Sequence, residues 1–125
     1  MGPDSVGTLE IWRDGMQLVT EVYTLTEGWP GRELYGLTAQ ARRAAVSIPS
    51  NIAQGVGRGT AAEAARFAQI ALGSVYELHT LLEVAARLRM GAHEELAAVK
   101  ERLVVLARRI STFARYKRSR LIRAS

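Results

Sequence analysis

Residues 37–59, LTAQARRAAVSIPSNIAQGVGRG, combine a helical pattern with a proline inside it. Small and apolar side chains such as Leu37, Ala41 and Ile48 recur every three or four positions, which is the spacing of one face of an α-helix. Pro49 then falls within the run, where it removes a backbone donor and crowds the preceding turn. The pattern therefore predicts a helix that bends at Pro49, and the glycines at the end of the stretch predict a tight turn after it.

Three other segments, at about 9–27, 60–89 and 93–116, also have helical apolar periods. Thr8 is placed as the N-cap of the first segment, and Thr60 begins a capping box that starts the third. The connections between the segments are only a few residues long. Together with residues 37–59 they predict an all-α fold, an antiparallel up-down-up-down four-helix bundle.

The first predicted helix has two apolar stripes. One consists of Leu9, Trp12, Met16, Val19 and Tyr23, and the other of Ile11, Leu18, Val22 and Leu25. Because a helix on a single core needs one stripe, we expect the first stripe to face the bundle. The additional stripe predicts a contact with a neighbouring subunit. We expect Trp29 and Tyr35, in the next connection, to fold over the end of the bundle, the alternative being that they stack on a ligand.

The length and composition predict one domain over residues 1–125, with a frayed lead at 1–7 and a basic tail at about 117–125. The chain has no cysteine, which excludes disulfides and thiolate metal sites. No apolar run approaches the length of a membrane span, and the first residues do not resemble a secretion signal. We therefore expect a cytoplasmic protein.

Positive charge is concentrated at the end of the sequence. Residues 1–99 contain 8 Lys/Arg and 11 Asp/Glu, whereas residues 100–125 contain 9 Lys/Arg and 1 Glu. The candidate nucleic-acid-binding residues are Arg108, Arg109, Arg115, Lys117, Arg118, Arg120 and Arg123. Guanidinium groups suit phosphate, and Tyr116 is placed to stack on a base. The alternative is a solvated tail that only improves solubility.

Nothing in the sequence predicts an enzyme. GVGRG at residues 55–59 resembles a phosphate-binding loop, but no strand precedes it, so the glycines are expected to end a helix. The two histidines, His79 and His93, have no partner at metal-ligand spacing. No serine is placed beside a recognisable general base. We expect no catalytic residue, no metal and no cofactor.

Two features of the third segment predict contacts with the second helix. Gly73 and Ser74 lie in the middle of a helix, where glycine is unfavourable unless another backbone passes close by. Glu77 lies one turn later on the expected facing side. We therefore expect a close crossing at Gly73 and an ion pair between Glu77 and Arg42, Arg43 or Arg58, the alternative being an exposed surface charge.

Several short motifs together resemble the family of 23S rRNA-intervening sequence proteins, which includes the accessory variability determinants of diversity-generating retroelements. The matching residues are Ser47-Ile48-Pro49-Ser50-Asn51-Ile52-Ala53, Gly55 and Arg58, preceded by Leu9, Ile11-Trp12, Met16 and Arg42-Arg43-Ala44-Ala45-Val46 and followed by Ile70-Ala71-Leu72-Gly73-Ser74 and Glu77-Leu78. The resemblance covers roughly residues 8–115. Gln54 departs from the pattern, because the family usually has Glu there.

The resemblance implies a four-helix bundle that forms a homo-oligomer, a pentamer in members of the family. The structural motif that it marks consists of Ser47, Pro49, Ser50, Asn51, Gly55, Arg58, Gly73, Ser74 and Glu77. It also implies an accessory protein that binds RNA or DNA and, in retroelement members, a reverse transcriptase. The alternative is a structural oligomer that binds a protein partner without nucleic acid.

Overall fold

The computed structural model describes the backbone of residues 3–124 and the side chains of residues 7–120. Within these residues the chain forms four α-helices and no strand. The helices are α1 (Pro3–Glu27), α2 (Leu37–Gly57), α3 (Ala61–Arg87) and α4 (His93–Ala124), with a short 3₁₀ helix at Gly31–Glu33. The prediction of an all-α fold is therefore confirmed for the described part of the chain.

Each helix packs against its neighbour in the sequence, and α1 also packs against α4. In the described residues the backbones of the diagonal pairs, α1 with α3 and α2 with α4, do not approach each other closely. All four helices supply side chains to a single core, among them Val22, Ile48, Val75, Leu78, Leu82, Leu96, Leu103 and Ile110. This closed cycle of neighbours around one core is a four-helix bundle.

Two helices are longer than the sequence pattern predicts. α1 begins at Pro3, so the predicted lead, as far as it is described, is helical and Thr8 is not an N-cap. Proline is well tolerated in the first turn of a helix, where its missing donor would have no partner. α4 continues to Ala124, and the predicted basic tail is its last turns. Arginine favours helix, and positive charge near a helix C-terminus is stabilising, so loss of the apolar period does not end α4.

The other helix boundaries agree with the predictions. The Thr60 hydroxyl accepts a hydrogen bond from the backbone amide of Glu63 at 3.2 Å, as a capping box requires. The Glu63 carboxylate does not return to Thr60 but contacts Arg66 at 2.7 Å, and this hydrogen bond lowers the pKa of Glu63. The start of α3 is therefore confirmed, with half of the predicted cap.

The two stripes of α1 have the opposite roles to those predicted. The buried residues are Ile11, Leu18, Val22 and Leu25, while Leu9, Met16 and Tyr23 are 40–42% exposed and Trp12 and Val19 are partly buried. Both stripes have helical spacing, so spacing alone cannot say which one faces the core. As a result, Leu9, Met16 and Tyr23 form an apolar strip of α1 on the surface, which bears on function.

The connection between α1 and α2 covers one end of the core with one of its two large aromatic residues. Trp29 is buried, and its indole lies 3.1 Å from where a Cβ on Gly91 would be placed. This part of the prediction is confirmed. Tyr35 is 92% exposed, so the expectation that it also folds over the bundle is wrong.

The close approach between α2 and α3 occurs at Gly55 and not at Gly73. A Cβ on Gly55 would lie 2.7 Å from the Cβ of Phe67 and 3.3 Å from the Cα of Ala64. A Cβ on Gly73 would have no atom within 4 Å, so the predicted crossing at this glycine is wrong, although the adjacent Ser74 does contact Ser47 of α2. Pro49 lies inside α2 without ending it. The bend at Pro49 stays a prediction.

Candidate nucleic-acid interface

Three cations of α4 are held by carboxylates of neighbouring helices. Arg102 contacts Glu21, and the Arg109 guanidinium lies 2.5 Å from a carboxylate oxygen of Asp14, both on α1. On the other side of α4, the Lys100 ammonium lies 2.6 Å from Glu83 of α3. This hydrogen bond is the main cause that lowers the pKa of Glu83. These cations stabilise contacts between helices, and their charge is largely compensated.

Lys117 occupies a core position. Its side chain is 8% exposed, and its ammonium lies 5.5 Å from the centre of the Phe113 ring. Burial lowers the pKa of Lys117, because removal from water disfavours the charged form. Ile110 and Phe113 belong to the buried apolar face of α4, and the next step of four residues along this face falls on Lys117. That step was the signal that this lysine belongs to the core.

The other predicted binding residues for which side chains are described lie on the surface. Arg108, Arg115, Arg118 and Arg120 are exposed, while Arg123 lies outside the described side chains. Arg115 donates to the Thr112 hydroxyl at 3.3 Å, and Arg118 donates to the Ala114 carbonyl at 3.4 Å. Within the described part of the chain, neither Arg108 nor Arg115 forms an ion pair.

Arg108 and Arg115 share a groove between α3 and α4, with a volume of about 460 Å³. The groove is lined by Tyr76, Val104, Ala107, Arg108, Ser111, Thr112 and Arg115. None of these side chains is acidic. Two carry a guanidinium group, three carry a hydroxyl or phenol, and the other two are apolar. The groove can therefore accept an anion without repelling it by a nearby carboxylate.

Tyr76 is the residue of this groove that the sequence pattern did not predict. Its side chain is 59% exposed, whereas the stacking residue proposed from the sequence, Tyr116, lines a different surface groove beside α1. The core stripe of α3 passes through Val75 and Leu78. Because Tyr76 lies off this stripe, the apolar spacing of α3 could have placed it on the outer surface.

Small polar residues of the predicted structural motif join α2 to α3. The hydroxyls of Ser47 and Ser74 are 2.7 Å apart, and the Asn51 amide donates to the Ser47 carbonyl at 2.8 Å and hydroxyl at 2.9 Å. Ser50, one turn from these groups, is exposed. The hydrogen bonds make this motif part of the packing between two helices.

Glu77 does not form the predicted ion pair with Arg42, Arg43 or Arg58, so this prediction is wrong. Glu77 is exposed, and the ion pairs of the described residues do not include it. Arg42 instead donates to the Thr26 hydroxyl at 2.9 Å, and the Arg58 guanidinium lies 5.1 Å from the centre of the Phe67 ring. Two of the three candidate arginines therefore have other contacts.

The structure contains few features of other kinds of site. In the side chains that are described, no cluster of three or more His, Asp or Glu residues is arranged to hold a metal ion. None of the helices, over the same part of the chain, is long and apolar enough to cross a bilayer. The arginine-lined groove is the candidate site that remains.

The fold and the groove define a small all-α bundle with a cationic groove between its last two helices. The chain belongs to the family of 23S rRNA-intervening sequence proteins, whose model matches residues 7–112. The resemblance seen in the sequence motifs is thereby confirmed. The match includes Arg108 and ends before Arg115. A comparison with curated proteins returns no match.

Proposed function

We propose that the protein is a non-enzymatic accessory protein that binds nucleic acid through the arginine-lined groove between α3 and α4. The observation that best supports this function is that Arg108 and Arg115 lie in a groove lined by no acidic side chain, although nearby cations of α4 are paired with carboxylates. A guanidinium group makes two parallel hydrogen bonds to a phosphate, so free arginines at a surface favour this ligand.

The chemistry of the groove favours binding that tolerates any sequence. Its charged groups suit phosphate oxygens, which carry no base information. The family description, which refers to 23S rRNA, supports an association with RNA. When a protein neutralises phosphates, it releases bound counterions, so its affinity for the nucleic acid falls as the salt concentration rises.

Fluorescence anisotropy with labelled RNA and DNA oligonucleotides of the same sequence, at two salt concentrations, tests this proposal. We expect binding to both at low salt, with an affinity that falls steeply at the higher concentration. Absence of binding to either polymer at low salt would contradict the proposal. Binding that does not respond to salt would contradict the role assigned to the arginines.

A second candidate, a structural homo-oligomer, is favoured by the exposed strip of α1. Leu9, Met16 and Tyr23 are each 40–42% exposed and recur every seven residues, so they lie along one face of α1 and can form a continuous contact strip. We propose that this strip contacts another copy of the chain, with a pentamer as the size implied by the family resemblance. An oligomer that scaffolds a protein partner remains the alternative function.

Sedimentation velocity tests the oligomer. We expect Met16→Glu to dissociate it, because the substitution introduces charge into the strip. Val84→Glu is the matched control, since Val84 is 39% exposed on α3. Equal sedimentation of wild type and Met16→Glu would contradict the assignment of the strip.

Three finer statements belong to the same proposal. Assistance to a retroelement reverse transcriptase and a cytoplasmic location rest on the sequence and its family resemblance. We also infer the antiparallel up-down-up-down order of the helices. It is supported by contacts in reverse order, Asp14 with Arg109 before Glu21 with Arg102, and Ser47 with Ser74 before Gly55 with Ala64.

A further inference from the structure

We propose that the arginine-lined groove takes single-stranded nucleic acid in preference to duplex, because a base stacks on the ring of Tyr76. This inference rests on the proposed function, and it adds which form of nucleic acid the groove selects. It requires an aromatic ring that is accessible, free of other partners and close to the phosphate-binding groups.

The Tyr76 ring meets the first two requirements. It is 59% exposed, and its side chain makes no hydrogen bond or cation–π contact with the other described side chains. The hydrogen bond that Thr80 donates at 2.9 Å goes to the backbone carbonyl of Tyr76 and not to its side chain. The ring face is therefore available to a ligand.

The neighbours of Tyr76 meet the third requirement. Val104 and Ala107 present small apolar surfaces of α4 in the same groove, and Ser111 adds a hydroxyl. Arg108 and Arg115 are two turns apart on α4, so their Cα atoms are offset along the helix by about 10 Å. An extended strand can place phosphates on both arginines while one base lies against the ring.

A duplex cannot use the groove in the same way. Its bases are stacked inside the helix, and only phosphates, sugars and base edges face a protein. In a single strand the bases can be splayed out and stacked on aromatic side chains, whatever the sequence. Tyr76 therefore contributes to the affinity for single strands and little to the affinity for duplexes.

The test compares Tyr76→Leu with wild type by fluorescence anisotropy, using a single-stranded RNA and the same RNA annealed to its complement. We expect Tyr76→Leu to weaken binding to the single strand about tenfold and binding to the duplex less than twofold. Tyr76→Phe, which keeps the ring, retains the wild-type affinity. Tyr35→Leu is the matched control, because Tyr35 is 92% exposed and lies in the connection before α2.

The outcomes separate the two proposals. If wild type binds the single strand and Tyr76→Leu binds it equally well, the stacking inference is overturned and the proposed function stands. If Tyr76→Leu loses the same factor for single strand and duplex, the inference is also overturned. If wild type binds neither RNA at low salt, the proposed function itself fails. A circular dichroism spectrum shows that each variant is folded.

Discussion

The two sides of α3 differ in what lies between it and the neighbouring helix. Toward α2 the backbones meet at Gly55, and the hydroxyls of Ser47 and Ser74 form a direct hydrogen bond at 2.7 Å. Toward α4, a surface groove of about 460 Å³ opens beside Tyr76 and Arg108. The first side leaves no room for a ligand, whereas the second offers one an apolar surface and cations.

This difference assigns separate roles to the two sets of residues that the sequence brought to attention. The motif on the α2 side stabilises the bundle through small residues and neutral hydrogen bonds. The groove arginines, Arg108 and Arg115, have no carboxylate partner among the described residues, so they join no pair of helices by an ion pair. Substitutions on the α2 side should therefore change stability, and substitutions on the α4 side should change binding.

The largest expected effect is on the α2 side, from Gly55→Leu. The new side chain would meet Phe67 and the backbone of Ala64, which cannot move aside without separating the helices. We expect the free energy of unfolding to fall by about 3 kcal/mol, measured by urea denaturation. Gly73→Ala is the control, because nothing lies within 4 Å of its Cβ position, and we expect it to stabilise the protein by up to about 1 kcal/mol. Equal effects of the two substitutions would contradict the asymmetry.

The second prediction concerns the α4 side. Replacing Arg108 and Arg115 together by Gln should weaken binding of single-stranded RNA about 30-fold at low salt, since two charge-assisted hydrogen bonds are lost. The slope of log affinity against log salt should fall in magnitude by about 1.4. Stability in urea should be unchanged. Anisotropy over a salt series measures both quantities.

The control is a second double variant that has the same net charge as the first. Arg102 and Arg109 are paired with Glu21 and Asp14, so replacing both by Gln removes the same charge away from the groove. We expect its affinity to change less than threefold. If both double variants bind equally weakly, net charge and not the groove determines affinity.

Much of the fold follows from local signals, but the placement of the helices does not. Apolar spacing predicted that the four segments are helices, and the capping pattern at Thr60 predicted the start of α3. The roles of the α1 stripes and the position of the glycine crossing depend on which helices are neighbours. Gly55 and Gly73 look alike in the sequence, and only the tertiary contacts distinguish them.

The candidate site was predictable in part for the same reason. Concentrated positive charge pointed to α4, where the candidate groove lies, but it could not separate Arg108, which has no ion pair in the described residues, from Arg109, which is paired with Asp14. That distinction depends on which edge of α4 faces an acidic helix. Tyr76 was missed because it lies far from the arginines in the sequence and meets them only in the groove.

The third prediction tests the hydrogen bond between α2 and α3. Ser74→Ala removes the hydroxyl that contacts Ser47, while Ser47 keeps its bond from Asn51. We expect a loss of about 1 kcal/mol in the free energy of unfolding, the usual net value of one such bond. RNA affinity should stay at the wild-type level, as measured by anisotropy. A loss of binding without a loss of stability would place the serine pair in the site instead.

The smallest effect is expected at Lys117, the cation that belongs to neither set. Burial lowers its pKa, so the folded protein releases this proton at a lower pH than the unfolded chain does. Below the folded pKa the buried charge costs stability, and that cost shrinks as the pH rises from the folded pKa to the higher unfolded pKa. Lys117→Met should therefore stabilise the protein at pH 7, by about 1 kcal/mol or less because the contact with Phe113 is also lost. The advantage should shrink at alkaline pH, as followed by urea denaturation at both pH values. RNA affinity should not change, in contrast to the groove arginines, and a loss of affinity similar to theirs would mean that Lys117 reaches the ligand from its core position.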